Sequence, residues 1–434
     1  MNRTIARTWR KLFSATAVLI ALVWPALAGG TGGSEIQIAA AFQLPQLPGI
    51  SGPAADWRQW DSFFTFVVKR FGQEVPGDLK ESLGDAFLDS RYELTHAIAP
   101  GKGGNPVPDL FLNGWKRLSP IMNKALPGLP KQTASQYANF ISAADKFAAV
   151  GGVGSQLGLV RLSPDALRGM ARILEPSSAA DPLAFSTSVD SGLRSLLGFG
   201  SPIAVPPSSI KQSQLRERFL PPEIEHAFAI QSWLIKSAMA AEPSPSKLNQ
   251  WVPEGKDLEA YLKEVRGLLV TLSDRIAAKL KLNDEHKLLY RQIVFTTAWQ
   301  ESCWRQYIRK GKGLTPMTST TGDLGLMQVN RNTWRNVYDL KGLSGDIEYN
   351  GNAGGEILHY YLTRHAIKKN EDKQQGGNLA RATYSAYNGG PGAVGRYRAA
   401  KTIPALKKVD EAFWEKFQAV SAGRELDVQS CYQK

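Results

Sequence analysis

One glutamate, Glu301, closes the segment Ala298-Trp299-Gln300-Glu301-Ser302, and three short blocks follow it. They are Gly325-Leu326-Met327-Gln328, the stretch from Asn350 through Gly354 to Leu358, and Ala386-Tyr387-Asn388-Gly389-Gly390-Pro391. A lone carboxyl at the end of an apolar helix, facing amides and hydroxyls, suits protonation of a glycosidic oxygen. A carboxyl can supply that proton near neutral pH only if its pKa is raised. Burial beside Trp299, Trp304 or Met327 disfavours the anion, and the negative end of the preceding helix acts in the same direction. Taken alone, a helix-end glutamate is more often a solvated one. The order and spacing of the three blocks reverse that reading.

These residues resemble the catalytic domain of the soluble lytic transglycosylases, enzymes that cut bacterial cell-wall glycan, over residues 286–398. The family's helix-end Glu-Ser pair is matched by Glu301-Ser302, its Gly-Leu-Met-Gln by residues 325–328, and its Asn, Gly and Leu element by Asn350, Gly354 and Leu358. Its Ala-Tyr-Asn-Ala-Gly-Pro recurs with Gly389 in the fourth place. The resemblance implies roles. Glu301 is general acid and then base, Ser302 orients substrate, and Met327 and Gln328 line the groove. Tyr387 hydrogen-bonds the acid and Asn388 contacts sugar. It implies peptidoglycan as substrate, no cofactor, and a 1,6-anhydro product formed without water.

A second departure is Asp323, where most of these enzymes carry alanine. Asp323-Leu324-Gly325-Leu326-Met327-Gln328-Val329-Asn330 also resembles the Asp-Tyr-Gly-Ile-Leu-Gln-Ile-Asn segment of c-type lysozymes, and similar segments of transglycosylase-like enzymes that serve secretion machines. In lysozymes the aspartate is the second catalytic carboxylate. Three roles therefore stand open for Asp323: nucleophile of a hydrolytic muramidase, electrostatic support, or turn former. The transglycosylase character of the surrounding block favours the last two. A different class is also open, a catalytically silent wall-binding or adaptor module.

Helices must position these groups. Leu262, Val265, Leu269, Leu272, Ile276 and Leu280 recur at three- and four-residue steps and predict a core helix. Asn283 or Asp284 can cap the next one, which carries Leu288, Leu289, Ile293, Val294 and Ala298 toward Glu301. Upstream, Phe63, Phe64, Phe66, Val67 and Phe71 predict an amphipathic helix. Residues 137–150, 164–174 and 223–241 also read as helical, with breaks at Pro100–Pro108, Pro127–Pro130 and Gly151–Gly154. No strand-rich run is apparent. The expected fold is all-α, a lysozyme-like catalytic domain over 251–434 preceded by a helical accessory domain over 56–200. A hinge region with one helix, 201–250, separates them.

The chain of 434 residues has 43% hydrophobic content and a mean hydropathy of −0.24, which excludes a polytopic membrane protein. Residues 1–28 read as a signal peptide. Arg3, Arg7, Arg10 and Lys11 precede an apolar run, and Ala26-Leu27-Ala28 is a cleavage site. Residues 29–55 read as a flexible leader. Export to the periplasm follows, with membrane contact only in transit. The formal charge is +13, of which the signal holds four positive charges, leaving +9 after cleavage. Such a balance suits anionic polymers or an envelope or secretion assembly. No nucleic-acid-binding signature occurs. His359 and His365 are not at ligand spacing and no HExxH occurs, so no metal is expected. Cys303 and Cys431 are an even count that permits one disulfide in an oxidising compartment, or remain two thiols.

Overall fold

Helical spacing of apolar residues governs most of the chain. The computed structural model describes residues 54–154, 162–205, 247–311 and 313–433. The expected signal, nearly all of the leader and the helix expected over 223–241 lie outside those residues. Helix α1 (Trp57–Glu74) begins at a capping box. Asp56 accepts from the amides of Arg58 and Gln59, and Gln59 returns a bond to the Asp56 amide. Trp60, Phe63, Phe64, Val67 and Phe71 are buried along one side of it. Helices α2 (Gly77–Ala97), α3 (Val107–Ala125), α4 (Lys131–Gly154), α5 (Pro164–Leu174) and α6 (Ser191–Leu197) follow. Helix α4 runs through Gly151–Gly154, where a break was expected. Glycine weakens a helix by only about 1 kcal/mol relative to alanine, too little to stop one already propagating.

Helix α7 (Leu258–Lys279) buries Leu262, Val265, Leu269, Leu272 and Ile276, as its spacing predicts. Helix α8 (Asp284–Ser302) starts at Asn283 and ends with Glu301 in its last turn. Ile293, Val294 and Ala298 are buried, but Leu288 is 63% exposed, so the apolar face of α8 begins later than expected. After Ser302 the chain reverses sharply: Cys303 and Trp304 both take left-handed backbone, at φ 53° and 60°. Non-glycine residues resist that region, and two anchors hold them there. Trp304 is fully buried, with its indole N–H donating to the Phe295 carbonyl at 3.1 Å. Cys303 is disulfide-bonded to Cys431, across a Cα separation of 6.1 Å and 128 residues of chain. Closing a loop of that length stabilises by about 5 kcal/mol in the chain-entropy model.

Two short antiparallel hairpins come next: β1 (Tyr307–Lys310) with β2 (Gly313–Pro316), and β3 (Asp323–Leu324) with β4 (Val329–Asn330). The sequence gives no strand signal for segments this short, and turn glycines at positive φ (Gly311, Gly322, Gly325) create them. Helices α9 (Leu340–Gly345), α10 (Ile347–Tyr361), α11 (Leu379–Gly389) and α12 (Pro404–Ser421) complete an otherwise helical arrangement. Helix α8 packs against α7 and α12, and α10 against α7 and α11.

Buried charge joins the N-terminal helices to this part. Asp61 of α1 sits between Arg91 of α2 and Arg335, with Arg91 Nε at 3.0 Å and Arg335 Nε at 2.8 Å from its oxygens. Burial pushes the Asp61 carboxyl up, but Arg335 and Arg91 outweigh it and hold the group below the usual range. Arg194 of α6 donates to Glu356 of α10 at 3.0 Å and to the Val337 carbonyl at 3.0 Å. Phe199 packs among Trp334, Tyr338 and Tyr360.

Candidate active site

The three motif blocks form one support. Gly325 (φ 68°) lies so close to its neighbours that a Cβ there would be 2.3 Å from Gln306 Oε1 and 2.7 Å from Asn350 Nδ2. Only glycine fits. Gln306 accepts from the Leu326 amide at 2.8 Å, and Asn350 accepts from the Met327 amide at 2.8 Å while donating to the carbonyls of Leu324 and Leu343. One turn along α10, Gly354 makes room for Met327, whose Cβ would be 2.4 Å from a Cβ at 354. Asn350 and Gly354 thus share a helix face and clamp the 325–328 loop.

That loop forms part of a cavity of about 230 Å³. Glu301, Asp323, Gln328, Tyr387 and Asn388 line it, joined by Thr321, Asn330, Thr333, Trp334, Leu406 and Val409, and by Tyr92, Thr95 and His96 of α2. Glu301 is partly covered, its open side being the cavity. Burial is the main force on its carboxyl and raises it. The Tyr384 hydroxyl opposes this, donating to Glu301 Oε1 at 2.9 Å. The Asp323 charge raises it again, while Lys416 and Arg396 lower it. The balance leaves the carboxyl pushed up to about 7. Lys416 donates to Gln300 at 2.7 Å rather than to the acid.

Asp323 is built differently. Ser319 Oγ and Thr321 Oγ1 both donate to its Oδ2, the latter at 2.5 Å, and Asn330 Nδ2 donates to its Oδ1 at 2.7 Å. The Ser319 hydroxyl also accepts from the Asp323 amide at 3.0 Å. Asp323 is therefore a hydrogen-bonded carboxylate whose charge reaches Glu301.

Several expected roles are reassigned. Tyr387 does not bond the acid: its hydroxyl donates to the Met327 carbonyl at 2.6 Å, and Tyr384 bonds Glu301 instead. The two tyrosines lie three residues apart on α11, hence on one face. That spacing was the available signal, and Tyr384 also stacks on Phe413 at 4.1 Å. Ser302 is buried outside the cavity lining and its hydroxyl donates to the Leu326 carbonyl at 2.6 Å. A serine following Glu301 on a helix points about 100° away from it, so it braces the loop from behind. Met327 is fully buried against Gly354 and contributes no lining surface. Gln328 does line the cavity, but its amide nitrogen is committed to the carbonyls of Gly325 at 2.7 Å and Met317 at 3.3 Å.

Asn388 lines the cavity and accepts from Arg396 Nη1 at 3.0 Å, while the rest of that guanidinium pairs with Asp410. This accounts for Gly389. A Cβ at 389 would lie 2.7 Å from Arg396 Nη1 and 2.7 Å from Ala393 Cβ, so the glycine admits the arginine that holds Asn388. Among the described residues, no group of three or more His, Cys, Asp or Glu side chains could hold a metal ion.

In comparison with known proteins, residues 282–409 match the family model described as the Transglycosylase SLT domain, a domain of the lysozyme-like superfamily. No curated protein and no solved structure matches the chain. The matched segment contains Glu301, Asp323, Tyr384 and Asn388, and the match supports a peptidoglycan-acting function of the lytic transglycosylase type.

Proposed function

We propose, from a chain whose residues 282–409 match the transglycosylase SLT domain, that this protein cuts the bond between N-acetylmuramic acid and N-acetylglucosamine in peptidoglycan without consuming water. Protonated Glu301 gives its proton to the glycosidic oxygen as the bond from that oxygen to the muramic C1 breaks. The N-acetyl oxygen of the same sugar stabilises the cation at C1. The sugar's 6-hydroxyl oxygen then bonds C1, and its proton passes to the Glu301 carboxylate. The acid is regenerated and a 1,6-anhydro end remains. Atoms balance with no added reactant.

The observation that carries this reading is the unequal treatment of two carboxyls in one cavity. Glu301 is raised to about 7 and keeps a proton to give. Asp323 accepts three side-chain hydrogen bonds across both of its oxygens. A carboxylate offers about four lone-pair sites, so little remains for attack on C1, whereas its charge can still favour a neighbouring cation. This supports electrostatic assistance over the lysozyme-like hydrolytic alternative. Export to the periplasm is part of the proposal and is supported by the n-region, apolar run and Ala26-Leu27-Ala28 site of the first 28 residues.

The test digests purified sacculi with wild type and with Glu301→Gln. Mass spectrometry of wild-type products should show glycan ends lacking one water, absent with the variant. Ordinary reducing ends alone would favour hydrolysis. No products from either protein, with binding retained, would favour a silent wall-binding module.

A further inference from the structure

Helix α2 lies outside the matched segment, yet it touches both motif walls of the cavity. On one side Tyr92 Oη donates to the Tyr387 carbonyl at 2.7 Å, and Asp89 Oδ1 accepts from the Gly392 amide at 2.9 Å. A Cβ at Gly390 would be 2.9 Å from the Tyr92 ring and 3.1 Å from Asp89 Oδ1. The turn that follows Asn388 is thus seated directly on the helix. On the other side Thr95 Oγ1 accepts from Thr333 at 2.9 Å and donates to Asn330 Oδ1 at 3.3 Å. Asn330 is in turn a donor to Asp323. The helix therefore spans from the loop of the acid's neighbours to the loop of the second carboxylate.

The next residue, His96, is exposed and lines the same cavity. No described residue hydrogen-bonds or pairs with its imidazole. Its neighbours Tyr92 and Thr95 are fixed by the bonds above, so the ring is carried on a rigid turn. A saccharide offers hydroxyl and acetamido oxygens, which are acceptors for an imidazole N–H.

We propose that α2 is a working wall of the glycan cleft and that His96 donates a hydrogen bond to a hydroxyl or N-acetyl oxygen of the bound strand. This rests on the reading of the chain as a peptidoglycan-cutting enzyme. His96 is a binding residue contributed from outside the matched domain. The cleft is then complete only with the N-terminal helices in place.

The test uses the full chain. Turnover of soluble, uncrosslinked peptidoglycan strands is measured for wild type, His96→Ala and His96→Gln. Binding of the same strands is measured calorimetrically with each change placed on Glu301→Gln. His96→Ala should lower kcat/KM about fivefold, carried by KM, and weaken binding by a similar factor, the size of one neutral hydrogen bond. His96→Gln keeps a donor and should restore most of the loss. Because His96 is exposed, the melting temperature should not move. Unchanged KM and affinity in His96→Ala, with wild type binding and cutting normally, would overturn this proposal alone. A wild type that neither binds nor cuts the strands would overturn the underlying reading as well.

Discussion

Two carboxyls face one cavity, and the chain builds them in opposite ways. Glu301 stands in the last turn of a nineteen-residue helix, with one tyrosine hydroxyl as donor and burial as the main force on its carboxyl. Asp323 begins a two-residue strand and is met by donors from Ser319, Thr321 and Asn330. Desolvation dominates the first and hydrogen bonding surrounds the second. The contrast sets a carboxyl pushed up to about 7 beside one held by donors on both of its oxygens. In the proposed mechanism, environment gives two carboxyls of one cleft different work.

The largest loss is expected at Glu301. Glu301→Gln removes the carboxyl that burial pushes up to about 7 and should cut turnover about a thousandfold, within the span of general acid catalysis. Binding of glycan should survive, because the amide is nearly isosteric. Asp323→Asn comes next. It should lower turnover by roughly ten- to a hundredfold if a neighbouring charge assists the cation. It should also shift the pH profile. The Asp323 anion raises Glu301, so its loss lowers the acid's pKa and moves the alkaline fall of activity toward lower pH.

Tyr384→Phe should act on the pH profile with the opposite sign. The hydroxyl favours the Glu301 anion. Its removal raises the acid further, and the alkaline fall should move up by about one pH unit, the worth of one charge-assisted bond. Turnover at the optimum should change by less than with Asp323→Asn. Tyr387→Phe, which affects a bond to the Met327 carbonyl, should leave the position of the fall in place. Profiles of kcat/KM against pH for the three variants check these directions together.

Much of this site is legible in sequence because its glycines and amides have no alternative role. Gly325, Gly354 and Asn350 are dictated by contacts closer than a methyl group permits, so their spacing survives as a readable motif. The helical stripe of α7 is legible for the same reason, since a buried face must repeat at the helical period. Side-chain direction is less legible. Ser302 and Tyr387 carry the expected residue types, yet local helix geometry turns the first away from the cavity and hands the second's expected bond to Tyr384. The hairpins escape notice because two- and four-residue strands have no periodicity to detect. The contribution of α2 is invisible for a different reason. Tyr92, Thr95 and His96 lie some two hundred residues from Glu301 in the chain, and only tertiary packing brings them to one surface.

The proposed chemistry depends on the proton of one carboxyl, and that proton can be followed directly. Infrared difference spectra of wild type minus Glu301→Gln, recorded across pH, isolate the Glu301 carboxyl band. The band should persist through the mildly acidic range and give way to carboxylate near pH 7. Loss of the band near pH 4.5, the ordinary value for a solvated glutamate, would contradict the assignment of Glu301 as the acid.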